Sequence, residues 1–95
     1  MKLMKFDVEQ WEVDNFKQAL YLDGEEEDQL IKDYLKNAKA YVQNAVNPTA
    51  DLTQYEQYTF AVQMLAQFWY QNRGIDMSNT PYQVLSMIQQ LRGLV

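Results

Sequence analysis

Between Asp23 and the pair Asn47–Pro48, apolar side chains return every three or four residues: Leu30, Ile31, Tyr34, Leu35, Ala38, Tyr41, Val42 and Ala45. Such spacing puts them on one face of an α-helix. A helix over this stretch is roughly 30 Å long, the width of a small domain, so the rest of the chain must pack along it. Lys32, Asp33, Lys36, Asn37 and Lys39 fall on the opposite face. Alternating signs there read as a solvated surface rather than a basic patch for nucleic acid. Asp23 is the expected N-cap, with Glu26 closing a capping box. The acidic run DGEEED then lies at the positive end of the helix dipole, and Asn47–Pro48 stops the helix.

Three other segments carry helical spacing. Val13–Leu22 forms a short first helix through Phe16, Ala19 and Leu20. Two readings of its start stand: a capping box from Asp7 to Gln10 brings Trp11 into the helix, or residues 1–11 form a flexible N-terminal arm. Thr53 with Glu56 gives a capping box for a third helix, and Gly74 suits its C′ position. From Tyr55 to Tyr70 this helix is apolar nearly all round, as expected of one covered by several neighbours. After the short loop IDMSN, Thr80 is the expected N-cap and Pro81 the first helical residue, with Gln83 closing a box. Tyr82, Leu85, Ile88, Leu91 and Val95 make the fourth stripe. The expected fold is all-α, a compact bundle of about four helices around a central buried third, with residues 1–95 as a single domain.

Composition narrows function. The 95 residues are 47% hydrophobic and 22% charged, a globular balance, with only three Gly and two Pro for loops. Seven Tyr suit surfaces that are part buried and part wet. No Cys rules out a disulfide framework, and no His removes the commonest general base and metal ligand. The net charge of −5 argues against a nucleic-acid binder, although not against a protein that lets DNA pass. MKLMKFDVEQ lacks the apolar run of a signal peptide, and no apolar stretch is long enough to span a membrane. A soluble domain made in the cytoplasm is expected.

Candidate sites are few. The carboxylates Glu25 to Asp28 point around a helix rather than converging, so a solvated first turn is expected and no metal. No phosphate-cradling Gly loop and no activated nucleophile is visible; neither an enzyme nor a cofactor is expected. FWYQNRG, residues 68–74, is the most unusual stretch. Phe68 and Trp69 are expected to close the core. Arg73 suits the negative end of its helix, and its planar fork could hold the acidic first turn of the second helix or a carboxylate on a neighbour. Tyr and Arg also anchor interfaces. Tyr70 and Arg73 are therefore candidates for an interface or for purely internal roles, and Tyr82, Glu26 and Asp28 join them as interface candidates.

Three ordered pieces carry a resemblance: VDNFKQALYLDGEEEDQLIKDYLKNAKAYVQNAV, AVQMLAQFWYQNRG and TPYQVLSMIQQLR. Together they resemble the small head–tail connector (adaptor) proteins of long-tailed bacteriophages, a group associated with DNA packaging. The likeness covers about Val13 to Arg92, and WYQNR followed by TP is its most specific part. The chain departs from the family pattern at Tyr21, Gln71, Gly74 and Ile88, which bears on individual salt bridges more than on the fold.

The resemblance implies a structural role at the virion head–tail junction, in a protein made in the bacterial host's cytoplasm. Copies would form a ring of about twelve under the portal protein, continue the DNA channel and meet the next connector or tail-completion protein. DNA would pass without specific binding. Two other readings compete. A small acidic helical regulatory or partner-binding module accounts for helices and charge, yet not for three motifs in order. A DNA-binding accessory subunit of the packaging terminase needs a basic face, and none is found.

Overall fold

The computed structural model describes residues 6–73 and 80–95. Four helices follow one another: α1 (Gln10–Ala19), α2 (Asp28–Val46), α3 (Glu56–Gln71) and α4 (Tyr82–Leu94). Among the described residues there is no strand. The all-α expectation holds. α3 touches each of the other helices and packs most extensively on α2 and α4. The molecule measures 38 × 37 × 18 Å, a slab about two helices thick.

One core joins the helices. Ile31, Leu35, Ala38 and Val42 of α2 meet Ala61, Val62, Leu65 and Ala66 of α3, with Val13 and Phe16 from α1 and Val84, Ile88 and Leu91 from α4. Leu52, in the α2–α3 connection, is fully buried and plugs that end. The connection is held by side chains. Gln43, itself buried, donates to the carbonyls of Asn47 at 2.6 Å and Ala50 at 2.7 Å. Asp51 accepts from the Thr53 hydroxyl at 2.6 Å, and that bond first of all lowers its pKa below the ordinary value.

Helix starts differ from the sequence expectation. α1 begins at Gln10 and includes Trp11; its N-cap is Glu9, whose N–H donates to Glu12 at 2.8 Å, in place of an Asp7–Gln10 box. α2 begins at Asp28 after Glu27, so Asp23 and Glu26 belong to the turn before it and cap nothing. α3 starts after Tyr55, and Thr53 bonds to Asp51 instead of capping. α4 starts at Tyr82 with Pro81 as N-cap, while the Thr80 hydroxyl pairs with the Tyr41 hydroxyl at 2.8 Å. The C′ role of Gly74 and the loop at 75–79 lie outside the described residues, as does part of the expected N-terminal arm, residues 1–5. Asn72 closes α3, its side-chain amide donating to the Phe68 carbonyl at 2.8 Å.

α1 ends in a Schellman motif. Leu22 N–H donates to the Lys17 carbonyl at 2.8 Å and Tyr21 N–H to that of Gln18 at 3.3 Å. The left-handed residue this motif needs is usually Gly. Here it is Tyr21, with φ 57° and its side chain 93% exposed.

Three expectations about faces are corrected. Lys39 does not lie on the solvated face of α2; it is buried against α1 and paired with Glu12. α3 is not covered all round, since Phe60 is 51% exposed. The buried stripe of α4 is Val84, Ile88 and Leu91, which leaves Tyr82 and Leu85 outside.

Candidate functional site

The C-terminal end of α3 and the acidic turn before α2 meet at Glu27. Tyr70 donates its hydroxyl to the Glu27 carboxylate. Arg73, one turn further on, brings Nη1 to 3.7 Å from the same carboxylate and stacks its guanidinium 4.2 Å from the centre of the Tyr70 ring. The Tyr70 hydroxyl first, and the Glu27 charge after it, hold the Arg73 pKa above its ordinary value. Phe16 and Tyr34 meet the Tyr70 ring edge-on at 5.3 and 6.3 Å, geometry that aromatic quadrupoles favour. Tyr70 is thus the core aromatic of FWYQNRG, with 9% of its surface exposed.

This corrects the roles expected of its neighbours. Trp69 is only partly buried; it packs on the rim of the core and meets Tyr41 edge-on at 6.1 Å. Phe68 lines a shallow surface groove with Met64, Gln67 and Pro81. At the end of a helix with three neighbours, the direction toward the core is set by where α1 and α2 lie, which local spacing does not reveal.

The remaining candidates are not gathered at that cluster. Asp28 pairs with Lys17 of α1 at 2.8 Å, and this hydrogen bond is the main reason the Lys17 pKa lies above its ordinary value. Glu26 is exposed in the turn, beside Gly24 with its φ of 83°. Tyr82 stands 80% exposed on α4. Glu27 was not singled out in the sequence; its partners lie 43 and 46 residues ahead, and only the opposite charges of Arg73 and the acidic run pointed to it.

The chemistry of this arrangement is adhesive. Glu27 is engaged by a phenol and a guanidinium, and among the described residues no group of acids converges to hold a metal ion. No described helix is long and apolar enough to cross a membrane. The open surface is instead apolar in places: Phe60 and Met64 on α3, and Tyr41, Tyr82 and Leu85 around α2 and α4. Large aromatics left outside a small core suit contacts with other proteins.

No curated protein and no solved structure matches this chain. A family model does. Residues 11–92 match the Phage gp6-like head-tail connector protein, so the chain belongs to that family of phage structural proteins.

Proposed function

We propose that copies of this connector form a ring of about twelve beneath the portal, continue the DNA channel and offer their lower face to the next connector or tail component. The family match over residues 11–92 carries this reading, because it makes the chain a structural component of the head–tail junction. The charge supports it. The net charge is −5, and of the described cations Lys17, Lys39 and Arg73 are tied to carboxylates. A wall of this kind gives DNA few cations to exchange for its counterions, so DNA slides past. The Glu27–Tyr70–Arg73 cluster braces α3 and the α1–α2 turn against each other, which suits a part that must transmit load between head and tail.

Electron microscopy of the purified portal mixed with this protein tests the reading. A rotationally symmetric ring of extra density under the portal is expected. Bare portals at saturating protein would overturn it.

A further inference from the structure

Two surfaces of unlike shape, nearly free of charge, lie on different sides of the domain. The first is the outward face of α3. There Phe60, half-exposed, borders shallow grooves with Gln63, Met64 and Gln67, flanked by Asn15 and Ala19 of α1. Its charged residue is Glu56, at the start of the helix. The second is a ridge on α4. Tyr82, Leu85 and Gln89 follow one another at three- and four-residue steps on its exposed side, and Arg92 ends the row. Gln83 reaches toward the α3 groove, so Leu85, two residues on, points nearly the opposite way.

An acidic chain repels its own copies wherever acids meet, and approach costs least where neither copy brings charge. A groove and a ridge on different sides make a heterologous contact, the type that closes into rings. Their lengths agree. Tyr82 to Arg92 rises about 15 Å and Glu56 to Gln67 about 16 Å. Laid antiparallel, the two rows bring Arg92 to Glu56.

We infer that the α4 ridge of one copy seats in the α3 groove of the next, Leu85 against Met64, Tyr82 beside Gln67 and Gln89 over Phe60, with Arg92 facing Glu56 of that neighbour. The occupant of the groove is a second copy of this chain. This rests on the ring proposed above and names the surfaces that join it.

The test uses the full chain with Phe60→Asp and Leu85→Asp, both at exposed positions, checked for unchanged helicity by circular dichroism. Mass is read by sedimentation velocity, alone and on the portal. Each variant alone is expected to lose assembly. Mixed in equal amounts they give a dimer and nothing larger, because each brings one intact surface. Glu56→Arg weakens assembly, and adding Arg92→Glu to the same chain restores it. If wild type assembles and both Asp variants assemble like it, the surfaces are wrong while the ring stands. If Phe60→Asp blocks assembly and Leu85→Asp does not, the contact is groove to groove and the inference falls. A wild type that is monomeric under both conditions overturns the ring and this inference together.

Discussion

Glu12 on α1 and Lys39 on α2 form an ion pair at 2.8 Å with both side chains about nine-tenths buried. Each has a second partner. Lys39 also donates to the Asp7 carbonyl at 2.7 Å, and Glu12 also accepts the N–H of Glu9. α1 is the helix with the least contact to the bundle, and this pair, with the Gln63 side chain donating to the Glu12 carbonyl at 2.9 Å, helps fix where it lies.

Removing one partner leaves the other charge buried alone. Lys39→Met and Glu12→Leu should each lower stability by about 3–5 kcal/mol in urea unfolding. The double variant should cost less than the sum of the two, because no charge is then stranded. Two additive losses would mean that the pair is not coupled.

Tyr21 holds a left-handed conformation that a side chain disfavours, and that chain touches little. Tyr21→Gly should therefore raise the unfolding free energy by about 1 kcal/mol. A fall in stability on that substitution would show that the Tyr21 ring contributes a contact worth more than the strain.

Burial of Tyr58 pushes its phenol pKa up from 10.0 to about 12, with the Glu12 charge adding to the effect. The folded state thus holds this proton more tightly than the unfolded one. Its contribution to stability is complete below pH 10.0 and is lost as the pH rises to about 12. Unfolding midpoints measured across that range should fall more steeply for wild type than for Tyr58→Phe. Parallel slopes would contradict the assignment.

At Glu27 two ligands can be removed separately. Tyr70→Phe takes away one buried hydroxyl and should cost about 1 kcal/mol. Arg73→Ala should lower the thermal midpoint slightly, with the difference shrinking in high salt, as for an exposed pair. It should also impair ring assembly. An Arg73→Ala protein unchanged in both stability and assembly would remove the residue from this account.

The four helices were legible because their apolar spacing survives at Ile31, Leu35, Ala38 and Val42 and at comparable positions in α1 and α3. What stayed hidden depends on partners far along the chain. Lys39 lies beside the apolar stripe of α2, and its long stem turns inward only because Glu12, 27 residues away, waits there. On α4, Ile88 and Leu91 belong equally to a stripe with Tyr82 and Leu85 or to one with Val84; the packing of α2 and α3 selects Val84. In the acidic turn several residues are able to cap a helix, and the reach of Tyr70 and Arg73 to Glu27 accompanies the later start at Asp28. The same long-range dependence kept the α3 groove out of sight, because apolar spacing alone marked Phe60 for the interior.

The most direct test of the connector account is solution mass by light scattering, on the protein alone and mixed with the portal from its own genome neighbourhood. The account predicts a ring-sized mass, either from the outset or once the portal is present. A monomer that ignores the portal at high concentration would contradict it and would leave a small partner-binding module as the better reading.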